Sequence, residues 1–311
     1  MKSRRCLGWA VLLACVLLGA CKERTPATAL SLRDAGSALP AAEVASGVEQ
    51  PVRIAVGAMI TPHAGYGYYS QFLEYVEKKL GREVVLVDRE TYAEVNNLMK
   101  SGDIDAAFVC GKPYVQGHDE FGMELLVAPQ VGGETVYYSY TIVSADSDAQ
   151  SLEDLRGKKF AFTDPMSNSG MLSPTYWLGQ MGETPESFFS STVYTHAHDK
   201  SIRAVADGMV DGAAVDHLIW IYGKHSNPEM TARTRVVHKS QPFGIPPVVV
   251  RPGLLPELKN RLRDIFLTAH EDQEGLRILQ GMMIERFVEL DDSAYDSIRE
   301  MERWAARTQK K

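Results

Sequence analysis

The sequence predicts an α/β fold of two lobes, each built on a mostly parallel sheet, with a two-strand hinge between them. Three observations carry this. Strand and helix signals alternate in two successive series, from Val52 to Cys110 and again from Lys159 to Asp216. Helical periodicity returns after residue 254, so the chain revisits its first lobe once the second is complete. The run Val236 to Val250 between them is extended, because Pro242, Pro246 and Pro247 do not fit a helix interior. The expected lobes are residues 51–140 with 244–311, and residues 141–243, with crossings near residues 141 and 243. About 260 residues from Pro51 onward are enough for two small α/β cores.

The elements follow in order. Val52 to Val56 is β-rich. Tyr68 to Leu80 places Phe72, Leu73, Val76 and Leu80 on one helical face, closed by Gly81. Val84 to Val87 is the second strand. Thr91 with Glu94 three residues later is a capping box; Val95, Leu98 and Met99 turn inward, and Gly102 ends that helix before the strand Ile104 to Cys110. Val136 to Val143 reads as one strand, and Ser151 to Lys158 as a short helix and turn. They lead into a strand from Lys159 to Thr163, a helix from about Leu172 to Met181, a strand from Thr192 to Thr195, a helix from Asp199 to Asp207 and a strand from Gly212 to Asp216. Leu254 to Gln280 and Ser293 to Ala306 supply closing helices.

The N-terminus carries Lys2, Arg4 and Arg5, an apolar run from Leu7 to Leu18, and Leu18-Gly19-Ala20-Cys21. It resembles a bacterial lipoprotein signal, which implies cleavage after residue 20 and lipidation of Cys21. The alternative is an uncleaved anchor, for which the apolar run falls short of the roughly 20 residues of a spanning helix. Residues 21–50 are rich in Ala, Ser, Pro and charge without apolar periodicity, the pattern of a disordered tether. Loss of Cys6 and Cys15 and lipidation of Cys21 leave Cys110 as the one cysteine of the folded part. The full chain has 33 basic and 40 acidic residues, a net of −7; without the three signal cations the balance is 30 to 40, a net of −10. So acidic a domain is unsuited to nucleic acid, and an anionic ligand would have to be held by local dipoles.

One segment has the chemistry for such a ligand. Asp164-Pro165-Met166-Ser167-Asn168-Ser169-Gly170 follows a short apolar strand and opens a helix. A helix start presents unpartnered N–H groups and the positive end of the dipole; Ser167, Asn168 and Ser169 add short donors, and Gly170 permits close backbone approach. The plainer reading is an ordinary helix cap worth about 1 kcal/mol.

The ordered series Thr91-Tyr92-Ala93-Glu94-Val95, Asp105 to Cys110, Val136-Tyr137-Tyr138-Ser139, Asp164 to Gly170 with Pro174, His198-Asp199, and Gly212 to Asp216 resembles the periplasmic phosphonate-, phosphite- and phosphate-binding proteins of ABC importers. The resemblance spans residues 51 to 290. It implies a two-lobed periplasmic-binding-protein fold of type II, capture of a small oxyanion by lobe closure, and delivery to an ABC importer permease from a lipid-anchored position in the periplasm or cell envelope. Carried over residue by residue, it implies that Ser167, Asn168 and Ser169 grip the oxyanion, that Tyr92 and Tyr137 donate from the first lobe, and that His198 and Asp216 complete the second. The family usually has Thr where this chain has Asn168.

Each residue also has a structural alternative: a core aromatic for Tyr92, packing for one of Tyr137 and Tyr138, and helix caps for His198 and Asp216. Cys110 reads either as a small buried hydrophobe or as a thiolate for a soft ligand such as arsenite, captured by a sensor protein that reports to a membrane receptor. Lys112 is a strand-end charge or the cation that the hydroxyl loop lacks. A third class, covalent catalysis by Cys110 with His198 as base, finds no Gly-x-Ser-x-Gly, His-Glu-x-x-His, phosphate-loop or Cys-x-x-Cys motif beside it. The expectation is a binding protein, not an enzyme, without cofactor or metal.

Overall fold

The computed structural model describes residues 50–57 and 62–308. The signal at 1–20, Cys21 and the tether up to residue 49 lie outside the described residues. No helix among the described residues is long and apolar enough to cross a membrane.

The chain opens with Val52–Val56 (β1), Pro62–Leu80 (α1), Val84–Asp88 (β2) and Tyr92–Ser101 (α2). The α2 capping box forms as its sequence requires: Thr91 Oγ1 accepts from the Glu94 N–H, and Glu94 reaches back to the Thr91 N–H at 3.0 Å. Gly102 ends α2 at φ +79°, a conformation that costs glycine little. Ala106–Phe108 (β3) is shorter than the expected strand, because the chain turns at Cys110 into Gly111–Phe121 (α3), for which the sequence carried no expectation. Glu124–Gln130 (β4) and Val136–Tyr137 (β5) follow, then Ser139–Ser144 (β6). The expected single strand from Val136 to Val143 is thus broken at Tyr138, whose N–H goes to the His217 ring nitrogen Nδ1 at 3.1 Å.

The second lobe continues with Lys159–Phe162 (β7), Ser173–Gln180 (α4), Pro185–Phe188 (α5), Ser191–Tyr194 (β8), His198–Ala206 (α6), Gly212–Asp216 (β9), His217–Ser226 (α7), Pro228–Ala232 (α8) and Thr234–Lys239 (β10). Only Glu153–Leu155 of the expected 151–158 helix and turn winds, as one 3-10 turn. The chain returns through Phe243–Gly244 (β11) and Val248–Val250 (β12), and ends in Pro256–Thr268 (α9), Gln273–Gly281 (α10), Arg286–Val288 (β13) and Asp296–Thr308 (α11).

Two large sheets result, ordered β13-β4-β12-β3-β1-β2 and β10-β6-β9-β7-β8, with the pair β5 and β11 between them as the two-strand hinge. The sheets are mixed, which corrects the expectation of mostly parallel ones. The pairs β1 with β2 and β3, and β7 with β8 and β9, are parallel; β12 enters antiparallel to β3 and β4, and β6 lies antiparallel to β9 and β10. The reason is the hinge. A strand that has just crossed from the other lobe runs opposite to strands fed by local βα units.

Each sheet is buried on both faces. Val52, Ile54, Phe72, Phe108, Phe266 and Phe287 pack on one side of the first sheet, and Ala55, Val109, Tyr114, Val249 and Tyr295 on the other. Phe160, Phe162, Leu178 and Phe188 line one face of the second and Ala161, Ile202, Val205 and Val215 its other face. Helix α11 touches both lobes: Gln116 of α3 donates to Glu302 at 2.6 Å, and Trp304 meets the Tyr176 ring of α4 at 5.1 Å. Gly179 makes room for that Trp304, since a Cβ there would lie 1.9 Å from the indole.

Candidate functional site

The segments that follow the parallel strands converge. β3 runs into Cys110, β7 into Thr163 and Asp164, and β9 ends on Asp216, while Tyr92 and His198 open the helices after β2 and β8. Open α/β sheets place ligands at such carboxyl ends. Tyr92, Cys110, Tyr137, Ser167, Asn168, Ser169, His198 and Asp216 are all buried.

The loop at 164–170 is held from several sides. Asn168–Leu172 winds as one wide π-type turn ahead of α4, with Ser167 at its start. The Ser167 hydroxyl accepts the Gly170 N–H at 2.9 Å, so this serine caps the turn. Gly170 sits against Thr163, whose Oγ1 would lie 2.3 Å from a Cβ there; the sequence required glycine for close approach, and the neighbour it meets is this threonine. Ser139 Oγ donates to the Ser169 carbonyl at 2.6 Å. Asp164 accepts the Met166 N–H at 2.7 Å and, more weakly, the Tyr92 N–H across the cleft at 3.5 Å. Lys112 Nζ donates to the Pro165 carbonyl at 2.9 Å, so the lysine clasps the loop backbone, and burial lowers its pKa.

His198 is fixed in one tautomer. Its Nδ1 lies 3.0 Å from the Asp216 backbone N–H, which can only donate, and 3.1 Å from Thr163 Oγ1. Burial pushes its pKa down to about 3, so the ring is neutral and carries its proton on Nε2. The turn that delivers His198 has His196 at φ +62°, uncommon for a side chain other than Gly, with its N–H on the Thr163 carbonyl at 2.7 Å.

Asp216 caps α7, accepting the Leu218 N–H at 2.8 Å. Burial raises its pKa to about 7, although the Leu218 and Ile219 N–H groups favour the charged form. Its charge is felt by Tyr69, Tyr92, Tyr137 and Cys110. The cap alternative of the sequence reading is therefore fulfilled, and the same carboxyl also borders the cleft.

Tyr137, not Tyr138, points inward. Its hydroxyl accepts from Asn168 Nδ2 at 2.9 Å and lies 3.6 Å from Cys110 Sγ. Tyr138 is part-buried, with Lys239 Nζ 3.5 Å from its ring centre. Cys110 is held up in pKa by burial, which keeps the thiol protonated and works against both the thiolate and the nucleophile alternatives. Its neighbours are Tyr137 and the Asn168 amide, whereas His198 is engaged by Thr163 and Asp216.

Four polar atoms here are buried without a hydrogen-bond partner: Tyr92 OH, Asn168 Oδ1, Ser169 Oγ and His198 Nε2. Native interiors rarely tolerate such atoms, since each costs about 1–3 kcal/mol. Burial raises the Tyr92 pKa well above its ordinary value, so its hydroxyl keeps its proton. Tyr92 stands on the first lobe and the other three on the second. Thr163 and Tyr69 were missed in the sequence, and Ser139 and Asp164 were named in its motifs without a role; the position of Thr163 at the strand end before the loop was the available signal for the first. Among the described residues, no group of three His, Cys, Asp or Glu side chains is placed to hold a metal ion.

Comparison with known proteins places these features in context. The family model described as ABC transporter, phosphonate, periplasmic substrate-binding protein matches residues 54–295. The phosphate-import protein PhnD of Mycolicibacterium smegmatis is 29% identical over 242 residues, 74% of this chain and 75% of that one. The phosphonates-binding periplasmic protein of Escherichia coli is 28% identical over 219 residues, 69% of this chain and 64% of that one. The crystal structure of a binding protein component of an ABC phosphonate transporter from Pseudomonas aeruginosa superposes with a TM-score of 0.79 at 26% identity, covering 84% of this chain and 88% of that one.

Proposed function

The chain belongs to the periplasmic phosphonate-binding family of ABC transporters, and on that premise we propose that it captures a small phosphorus oxyanion, a phosphonate, phosphite or phosphate, between its lobes and delivers it to an importer. The observation that carries this reading is the set of unpartnered buried donors divided between the lobes: Tyr92 O–H on one side, Ser169 O–H and His198 Nε2–H on the other. An oxyanion with three oxygens offers an acceptor to each of them. Because they stand on different lobes, the ligand makes its full set of contacts only when the lobes are closed, and binding shifts the population to that form.

The remaining residues have supporting parts. Asn168 faces the ligand with an unpartnered amide oxygen, and a half-turn of the amide keeps the Tyr137 contact while offering N–H instead. Ser167 holds the turn so that Ser169 faces the anion, Tyr137 positions Asn168, and Thr163 and the Asp216 N–H orient His198. Asp216 and the oxyanion share one proton: either a neutral carboxyl donates to a dianion, or a carboxylate accepts from P–OH. The second arrangement disfavours sulfate, which carries no proton at neutral pH for a carboxylate to accept. Every contact is a non-covalent one, and apart from Asp216 it is made to the neutral form of the side chain, which is the chemistry of reversible capture. The basic start, the short apolar run and Leu18-Gly19-Ala20-Cys21 support a position at the periplasmic side of the cell envelope with a tether through lipid on Cys21.

Calorimetry of the full-length protein against methylphosphonate, phosphite, phosphate, sulfate and arsenite tests the reading. Binding of at least one phosphorus oxyanion with sulfate and arsenite silent is expected. Ser169→Ala should weaken it about ten- to hundredfold, the worth of one hydrogen bond to a charged group. An unchanged titration with Ser169→Ala removes this cluster from the ligand site.

A further inference from the structure

Beside the anion cluster lies a cavity of about 310 Å³ whose lining includes Asp216 but none of Tyr92, Ser169 and His198. Asp216 belongs to the walls of both. From there the cavity opens between the lobes: Tyr69, Phe108 and Ile284 form one wall, Leu218 and Ile221 of α7 the other, and Ile245 beside the hinge closes the base. Among the described residues no lysine or arginine lines it; of its acidic groups, Asp216 is already engaged as the α7 cap and Glu134 sits at the exposed rim. The volume corresponds to about ten waters of liquid, held against walls that are mostly hydrocarbon and ring. Replacing that water with apolar atoms is favourable, whereas an ammonium there would give up hydration and meet only Asp216, which on the oxyanion reading is already engaged by the anion, and Glu134 at the exposed rim.

We infer that this cavity receives an uncharged apolar substituent, alkyl or aryl, of a phosphonate whose oxyanion end is held at Tyr92, Ser169 and His198. The inference rests on the oxyanion reading above and adds the chemical class of the rest of the ligand. Such a ligand carries its phosphorus at one end and its organic group at the other, and Asp216 stands where the polar cluster and the apolar cavity meet. A bare phosphate or phosphite then fills the polar end and leaves the apolar walls wet.

A homologous series tests it. Affinities of the full-length protein for methyl-, ethyl-, propyl- and butylphosphonate should rise about fourfold per methylene, and propylphosphonate should bind more tightly than 2-aminoethylphosphonate, which has a similar length. A flat or falling series, or tighter binding of the aminoethyl compound, with methylphosphonate still bound, overturns this inference and leaves the oxyanion reading standing. Failure of methylphosphonate, phosphite and phosphate alike overturns both. Ile221→Gln, a neutral change at a partly exposed wall position 37% accessible to solvent, separates the walls from the anion end. It should leave methylphosphonate affinity unchanged and lower the butyl-to-methyl ratio several-fold. An unchanged ratio places the substituent elsewhere and refutes the assignment.

Discussion

Asp216→Asn isolates the buried carboxyl that caps α7 and, on the proposed function, meets the ligand. The amide keeps the shape of the side chain, and its oxygen still caps α7 through the Leu218 N–H, held at 2.8 Å by the native carboxylate. The backbone N–H that orients His198 is untouched. What changes is titration. The carboxyl rises from an ordinary 3.8 to about 7 on folding, and burial is the main cause. A group whose pKa is raised by folding gives its full stability below the unfolded value and loses it as the pH climbs through the folded one. The wild type therefore loses stability from about pH 4 to beyond pH 7, and the variant does not. The interval spans about 3 pH units, at about 1.4 kcal/mol each, so by about pH 9 the variant should be the more stable by about 4 kcal/mol relative to its difference at about pH 4. For a folded part of this size that is a Tm gain of about 10 °C, read from ligand-free melting curves of the two proteins side by side across pH. All other titrating groups are common to both and cancel. Ligand affinity gives the second readout: in the wild type it should fall up to tenfold per pH unit once the shared proton is lost, and in D216N the fall due to Asp216 disappears, leaving that of the ligand. A Tm difference between the two proteins that stays constant from about pH 4 to 9 would refute the description of Asp216 as a buried titrating group.

Two further outcomes are expected. Cys110→Ser should keep phosphorus-oxyanion affinity within about tenfold, since a neutral thiol beside Tyr137 gives an oxyanion at most a weak hydrogen bond; a larger loss in a variant with an unchanged melting curve would make the sulfur a direct contact. Cys21→Ala should abolish lipid attachment and release the protein from the detergent phase of a partition assay, whereas retention there would point to an uncleaved anchor.

The order of elements and most of the candidate site were legible in the chain because they depend on local rules. Thr91 and Glu94 form their capping box wherever a helix starts there, and a Ser-Asn-Ser-Gly run after a strand makes a donor-rich turn whatever it faces. The same local rules are silent about α3: Gly111, Pro113 and Gly117 weaken helical propensity along Gly111–Phe121, and the helix exists through burial of Tyr114 and Val115 against the core.

The division of labour inside the loop was beyond local rules too. Ser167 and Ser169 are the same residue type two positions apart, yet one hydroxyl caps the turn and the other is buried without a partner. The choice between Tyr137 and Tyr138 followed from the hinge, where the Tyr138 N–H leaves the strand ladder for His217. The proton of His198 sits on Nε2 because an N–H at residue 216, eighteen positions away in the chain, occupies Nδ1. Strand direction belongs to the same class. Propensity says that Val248–Val250 is a strand, but its antiparallel entry beside β3 is set by the route of the chain back through the hinge. By itself the sequence determined the segments whose own propensity and caps decide whether they wind or extend, and which segments carry donors, since those energies lie within a few residues. Only the tertiary structure decided which donors remain unpartnered and what their neighbours do to their protons, because desolvation and pairing act between residues that meet only after folding.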